Sequence, residues 1–281
     1  MRKKQMGILW GIALLLCGLG WWIFWGNTAL MVHEIPVSGA SIPQNFAGYR
    51  IAQISDLHNA QFGQENEKLL QMLRETTPDL IVMTGDLVDS RHTDLEVSLS
   101  FAQQACEIAP TYYVPGNHEA RISDYPQFRQ SLEKVGVVVL ENESVLLERQ
   151  GQAIRLMGVK DPSFYGDDSY GESVMESLLS PLMTGEEVYT VLLSHRPELF
   201  DVYVSCGVDL VLAGHAHGGQ FRLPFLGGVV APGQGLFPQY DAGIYTADHT
   251  SMVVSRGLGN SAFPFRINNR PEVVLVTLEP L

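Results

Sequence analysis

The first strong pattern along the chain is a long run of apolar residues near the N-terminus. Gly7 to Gly26 is a run of 20 residues without a charged side chain, and about 20 helical residues cross a hydrocarbon core of about 30 Å. Basic residues fill positions 2–4, and the next Lys or Arg is Arg50. Because positive charge stays on the cytoplasmic side, the pattern predicts a cytoplasmic N-terminus over 1–6. It further predicts a transmembrane helix over 7–26 and a domain outside the cytoplasmic membrane.

Three other interpretations of this run stay open. A cleaved signal peptide has a shorter apolar region followed by a small-residue cleavage site. A lipoprotein signal ending at Cys17 needs small residues where Leu14, Leu15 and Leu16 stand. A buried helix of a soluble protein is the third. The length of the run, its flanking charges and the three tryptophans between positions 21 and 25 favour a spanning helix.

The remainder of the chain alternates between strand-like and helix-like segments. Residues 27–47 have little periodicity and contain Pro36, Gly39 and Pro43, so we expect a tether there. From residue 48 to residue 281, short apolar runs alternate with segments of helical period. The strand-like runs are Ile51 to Ser55, Leu80 to Thr84, Tyr112 to Val114, Val137 to Leu140, Val188 to Leu193, Leu210 to Ala213, Met252 to Ser255 and Val273 to Leu278.

The first two of these runs flank a helical stretch around Glu65 to Thr76, which makes a βαβ unit. The whole pattern predicts one α/β domain over 48–281, with mixed sheets packed face to face and helices outside.

Composition narrows the classes of function. Acidic residues outnumber Lys and Arg 31 to 18, which gives a formal net charge of −13. Nucleic-acid binders show the opposite balance, so no nucleic-acid partner is expected. Bound divalent cations can still draw a phosphate group into an acidic protein. Cys17, Cys106 and Cys206 lack paired spacings, which favours two buried thiols in the domain over a disulfide between Cys106 and Cys206.

Polar residues cluster where the apolar runs stop, which is where open α/β sheets bind their ligands. The five stops are Ser55-Asp56-Leu57-His58, Gly85-Asp86, Gly116-Asn117-His118-Glu119, Ser194-His195 and Gly214-His215-Ala216-His217. Residues two apart on an extended segment point the same way, so each Asp-x-His or His-x-His pair can face one metal cluster. Imidazole with carboxylate suits Mn, Fe or Zn. A single such motif is weak, but five in order predict a metal site.

These blocks resemble the ordered signature of the calcineurin-like metallophosphoesterase superfamily: D-x-H, G-D, G-N-H-E, H and G-H-x-H. The resemblance implies a four-layer α/β/β/α sandwich and two divalent transition-metal ions, with Mn expected first and Fe or Zn as alternatives. Ala216 stands where the family has Thr, at a position that binds no metal. The metal ligands that the resemblance implies are Asp56, His58 and His217 for one ion, Asn117, His195 and His215 for the other, and Asp86 between the two.

Two such cations about 3.5 to 4 Å apart can lower the pKa of a shared water and stabilise both the attacking and the leaving oxygen at phosphorus. A bridging hydroxide is then the nucleophile. By resemblance, His118 faces the substrate phosphate and acts as a general acid or stabilises transition-state charge; the alternative is a histidine that only orients ligands. Glu119 is expected to be structural. Arg196 and Arg222 are candidates for phosphate contacts, or else solvated surface charges.

Residues 221–245 are unusually apolar for a segment that follows these motifs. Either they pack as core beneath a long loop, or they form an apolar lip that contacts lipid or an acyl chain. The blocks Gly218-Gly219-Gln220, 234–238 and 255–259 resemble an exported bacterial phosphodiesterase branch. Some members of that branch cleave the pyrophosphate of diacylated UDP-glucosamine, a cytoplasmic substrate that an external domain would not meet.

A cell-envelope phosphodiester, either a lipid or a wall polymer, is therefore the expected substrate. The alternatives are a phosphomonoesterase or nucleotidase and a UDP-sugar-lipid pyrophosphatase. A different class of function is a metal-containing, lipid-binding envelope protein without activity, but a purely structural metal site need not leave an open coordination position.

Overall fold

The computed structural model describes residues 2–166, 171–185 and 187–281. Helix α1 covers Arg2–Thr28, and its segment Gln5–Thr28 is long and apolar enough to cross a membrane. None of that apolar window is buried within the protein. The helix therefore contributes nothing to the core of the domain.

In the described residues, two six-stranded mixed sheets follow the helix. The first sheet has, from edge to edge, β1 (Met31–Gly39), β16 (Glu272–Pro280), β2 (Arg50–Ile54), β3 (Leu80–Thr84), β4 (Thr111–Val114) and β5 (Val138–Val139). The second has β14 (Gly243–Ala247), β15 (Thr250–Val254), β9 (Leu210–Ala213), β8 (Tyr189–Leu193), β7 (Gln152–Gly158) and β6 (Glu143–Arg149). Two short hairpins pair β10 (Arg222–Leu223) with β11 (Gly227–Gly228) and β12 (Val230–Ala231) with β13 (Gly235–Leu236).

Within the part of the chain that the structure describes, five helices cover the outer faces of these sheets: α2 (Glu67–Thr76), α3 (Leu95–Cys106), α4 (Tyr125–Lys134), α5 (Gly171–Leu179) and α6 (Phe200–Ser205). Side chains alternate across a strand, so in β3 Leu80 and Val82 pack between the sheets, whereas Ile81 and Met83 pack against α2, α3 and α4. Helices α5 and α6 cover the second sheet. This confirms the α/β/β/α sandwich, and it explains the unbroken apolar sequence of β3, which is buried on both faces.

The βαβ unit expected around α2 is confirmed, because β2 and β3 pair in parallel. The structure differs from the sequence expectation at residues 27–47. Instead of an irregular tether, this segment contains β1, which pairs in parallel with β16. Ile35 and Val37 of β1 are buried in the core between the sheets. Pro36 is compatible with pairing because β1 is an edge strand.

Cys106 and Cys206 are both free thiols. They are half-buried at the ends of α3 and α6, in cores on opposite outer faces of the sandwich. The disulfide that the sequence left open does not form in this fold.

Candidate metal centre

The site lies where the carboxyl ends of β2, β3, β4, β8 and β9 meet. Strands β2, β3 and β4 are mutually parallel in the first sheet, and β8 and β9 are parallel in the second. Parallel strands bring their following loops to one edge, so the five sequence motifs converge. All seven expected ligands are buried, with 6% or less of each residue exposed.

Asp56, His58 and His217 form one cluster, in which one donor atom of each lies within 4.8 Å of the others. The distance from His217 Nε2 to Asp56 Oδ1 is 3.5 Å, and His58 Nε2 lies 3.2 Å from His217 Nε2. Two imidazole nitrogens and a carboxylate oxygen therefore point at one small volume. This donor set fits a borderline divalent cation.

A second cluster contains Asp86, His195 and His215, whose donor atoms also lie within 4.8 Å of one another. His195 Nε2 is 3.2 Å from Asp86 Oδ2 and 3.2 Å from Asn117 Oδ1. The same Asp86 oxygen lies 3.6 Å from His58 Nε2 of the first cluster. A single carboxylate therefore stands between the two groups.

Burial and charge set the protonation of these histidines in opposite ways. Burial lowers the pKa of His58 to about 4 and that of His217 to about 3, so both rings are neutral near pH 7. Burial acts in the same direction on His195, but the Asp86 carboxylate outweighs it and raises the pKa of His195 to about 10. A metal ion that binds His195 must therefore displace a proton.

The motif loops have an unusual backbone conformation. Five of the seven expected ligands have a left-handed φ: Asp56 (51°), His58 (45°), Asp86 (52°), His215 (65°) and His217 (48°). Each such residue costs about 1–3 kcal/mol. Hydrogen bonds between loops hold this geometry, among them Asp56 N–H to Gly85 O at 3.1 Å, His58 N–H to Asp86 O at 3.0 Å and Gly259 N–H to Asp56 O at 2.7 Å.

Glu119 ties two of these loops together, the one that follows β3 and its own loop after β4. Its Oε2 accepts the backbone N–H groups of Asp86 at 2.9 Å and Gly116 at 2.7 Å, and its Oε1 accepts that of Val88 at 3.2 Å. Burial, followed by the charge of Asp86, raises the pKa of Glu119 to about 8. The carboxyl group thus fixes the backbone of Asp86 and does not face the cavity.

His118 lies beside the clusters, with Nε2 4.0 Å from Asp86 Oδ2. The backbone N–H of Ser90 donates to its Nδ1 at 2.9 Å, and burial lowers the pKa of the ring. A neutral ring that accepts at Nδ1 carries its proton on Nε2. That proton faces Ser261 Oγ, 3.2 Å from Nε2.

A cavity of about 570 Å³ opens onto the clusters, and three arginines line it: Arg91, Arg121 and Arg196. Arg196 lines it but is buried in an ion pair with Asp161, with 2.9 Å from Nη2 to Oδ1. Arg222, the other candidate from the sequence, does not line the cavity and bonds Asp241 Oδ2 at 2.9 Å.

Sequence reasoning missed several residues of the cavity wall, among them Arg91, Arg121 and Ser261. The available signal for both arginines was their position, within five residues of the Gly85-Asp86 and Gly116 to Glu119 motifs. Ser261 had none, because only the fold brings it to His118.

Taken together, fold and site define a metal-dependent hydrolase that acts on phosphate esters. More narrowly, the chain belongs to the calcineurin-like phosphoesterase family, whose model matches residues 49–219. Enzymes of this family use a pair of divalent metal ions.

Several relatives resemble most of the chain. The metallophosphoesterase YkuE of Bacillus subtilis is 28% identical over 88% of this chain and 84% of its own length. Phosphodiesterase YaeI of Escherichia coli is 27% identical over 93% of this chain and 90% of its own. A transmembrane protein with a metallophosphoesterase domain from Danio rerio is 28% identical over 88% of this chain, which spans 56% of that longer protein.

Among solved structures, the Thermus thermophilus protein TT1561 superposes with a TM-score of 0.51 at 16% identity, covering 75% of this chain and 90% of its own. At that level of identity the likeness concerns the fold alone.

Proposed function

We propose that this protein is a membrane-anchored phosphodiesterase with two metal ions, acting on a phosphodiester of the cell envelope. In this proposal Asp56, His58 and His217 hold one ion, and Asn117, His195 and His215 hold the other. The observation that supports the pair of metal ions is the position of the Asp86 carboxylate, whose Oδ2 lies 3.6 Å from His58 Nε2 and 3.2 Å from His195 Nε2. A shared carboxylate between two donor clusters is what a pair of adjacent cations requires.

When bound, the two ions lower the pKa of a water and polarise the phosphoryl oxygens. The protein's own contribution is to position groups around the phosphate. Glu119 fixes the backbone of Asp86, and the buried ion pair of Arg196 with Asp161 holds one wall of the cavity. Arg91 and Arg121 are exposed at the cavity mouth, where their charge attracts the anionic substrate.

His118 has one role in this proposal. Because its Nδ1 accepts the Ser90 N–H, the neutral ring would become an anion if Nε2 gave up its proton. We therefore infer that His118 keeps the Nε2 proton and donates a hydrogen bond to an oxygen that gains charge in the transition state. In this proposal His118 therefore stabilises charge and does not act as a general acid.

Preference for a diester is supported by the relative named a phosphodiesterase, which aligns with 93% of this chain. Anchoring by α1 is supported by the length and hydropathy of Gln5–Thr28 and by the relative named a transmembrane protein. In this proposal the catalytic domain lies outside the cytoplasmic membrane, which is supported by the basic residues at positions 2–4, since positive charge stays on the cytoplasmic side. Protease treatment of intact cells tests this placement, since a domain that stays protected until lysis would refute it.

The full chain in nanodiscs provides the test of activity. Stripped of metal and resupplied with Mn²⁺, Fe²⁺ or Zn²⁺, it should hydrolyse bis(4-nitrophenyl) phosphate faster than 4-nitrophenyl phosphate. Asp86→Ala should lose metal and turnover together, whereas His118→Ala should keep both metals and lose about 100-fold or more in kcat. His249→Ala is the matched control, because His249 is exposed and outside the cavity. A chain loaded with two metals that cleaves neither ester would refute the proposed activity.

A further inference from the structure

The segment after the last metal motif carries exposed apolar side chains. Phe225 is fully exposed, and Leu226, Leu236 and Phe237 are 67%, 72% and 61% exposed. Of the two explanations that the sequence allowed for residues 221–245, core packing therefore fails at these positions. We call these four residues, together with Phe263 at 43% exposure, the apolar rim.

The apolar rim adjoins the mouth of the catalytic cavity. Phe263 lines the cavity together with Val230 and Ser261, and Ser261 Oγ lies 3.2 Å from His118 Nε2. The ring of Phe263 packs edge-on against Phe221, with 5.2 Å between centroids. The residues of the apolar rim thus lie on two loops at the cavity entrance, one within residues 221–245 and the other containing Phe263.

The loop that carries Phe263 is fastened to the end of helix α1. Asn27 Oδ1 accepts the backbone N–H of Arg266 at 2.7 Å, and Asn27 Nδ2 donates to the Arg266 carbonyl at 3.1 Å. The Arg270 guanidinium stacks over the Trp25 ring at 4.8 Å and donates to the carbonyl of Ala29 at 2.8 Å. The last turn of the helix and the loop that carries Phe263 therefore form one hydrogen-bonded unit.

Very little chain separates the helix from the domain. Helix α1 ends at Thr28 and β1 begins at Met31, which leaves two residues between them. If α1 spans the bilayer, this end of the sandwich lies at the membrane surface. Strand β1 then leads away from the membrane, and its partner β16 ends beside Leu281 at the far side of the domain.

We propose that the apolar rim docks into the bilayer surface beside α1, so that the catalytic cavity takes the phosphodiester of a lipid headgroup from the same leaflet. This inference rests on the proposed function, since it assigns the substrate class of that site. If α1 spans the bilayer, the exposed side chains of the apolar rim can enter the interfacial layer of the membrane, where Phe and Leu partition favourably. A lipid phosphate lies at the same depth and need not leave the membrane.

Photo-crosslinking in the full chain tests the docking directly. Benzoylphenylalanine is placed in turn at positions 225, 237 and 281 of the protein in nanodiscs of phosphatidylethanolamine and phosphatidylglycerol with alkyne-tagged acyl chains. Leu281 is the control, because it is 81% exposed and lies at the end of a nine-residue strand, about 30 Å from the strand's start. Adducts with lipid at positions 225 and 237 should exceed those at position 281 at least tenfold.

Equal labelling at the three positions would overturn the inference, as would crosslinks from positions 225 and 237 to a second copy of the chain in place of lipid. Hydrolysis of bis(4-nitrophenyl) phosphate by the same samples separates the two claims. Lipid adducts without hydrolysis would refute the proposed activity alone, and hydrolysis without lipid adducts would refute the docking alone. The variant Phe225→Ser with Phe237→Ser should keep hydrolysis of the soluble ester within about twofold and reduce lipid adducts from a label at position 226.

Discussion

Gly116 provides a sharp test of how the motif loops support the metal centre. A Cβ atom at this position would lie 2.3 Å from Asp86 Oδ1 and 2.7 Å from Asp86 N, and real Cβ contacts do not fall below 3.0 Å. In Gly116→Ala, the Asp86 carboxylate must therefore withdraw by at least 0.7 Å, the difference between 3.0 and 2.3 Å. Gly116 does not have a left-handed φ, so the effect is steric only.

Asp86 has little freedom to withdraw. Its Oδ1 accepts the His118 N–H at 2.8 Å, and its own N–H is held by Glu119. Misplacing a reacting group by about 1 Å can cost about 100-fold in rate, and overpacking costs about 1–3 kcal/mol of stability. We expect Gly116→Ala to lose about 100-fold in kcat/KM towards bis(4-nitrophenyl) phosphate, with weakened metal retention measured by elemental analysis.

The control is Gly39→Ala, whose new Cβ would meet Ile42 at an ordinary 3.5 Å. It should behave as the unmodified protein does in activity, metal content and thermal unfolding. A Gly116→Ala protein that holds two metals and retains activity within threefold of the unmodified protein would refute the steric reasoning.

Three further predictions concern stability. Glu119→Gln places an amide nitrogen where one carboxyl oxygen accepts a buried N–H, so the free energy of unfolding should fall by about 1–3 kcal/mol; an unchanged denaturation midpoint would contradict this role. Removing metal should lower the thermal midpoint, because two buried carboxylates then lack their cations, and metal restored at 100 times Kd should return about 2.7 kcal/mol per site. Arg196→Met leaves the buried Asp161 without its guanidinium and should cost about 3–5 kcal/mol. The exposed pair of Arg129 with Glu133 gives the comparison, since Glu133→Gln, which weakens that surface pair, should cost under about 1 kcal/mol.

The predictable parts of the site are those that depend on residues close together in the sequence. The strand-to-loop junctions at Asp56, Asp86 and His215 follow from apolar runs that stop at polar residues, and β3 was predicted with its observed bounds. Glycine positions such as Gly116 also follow from the motif itself. Glu119 was expected to be structural, but two of its three N–H partners, Asp86 and Val88, come from the loop after β3 and could not be read from spacing.

Features that depend on contacts between distant segments were not accessible in this way. The tautomer of His118 is set by the N–H of Ser90, and the cavity wall beside it by Ser261. Arg222 was a candidate for phosphate contact, but Asp241 pairs with it outside the cavity. The local sequence does not show whether an arginine forms an ion pair with a distant carboxylate or stays available to bind a phosphate.

The sequence by itself determined the apolar helix, the α/β class, the order of the five motifs and the chemistry of the residues in them, because each depends on local periodicity or residue type. Only the tertiary structure decided that β1 is a strand, since its pattern is interrupted by Pro36 and its partner β16 lies at the other end of the chain. Likewise, only the fold decided that Phe225 and Phe237 are exposed. Burial is a property of the assembled layers, and an apolar residue in a loop has the same local sequence whether it ends in the core or at the surface.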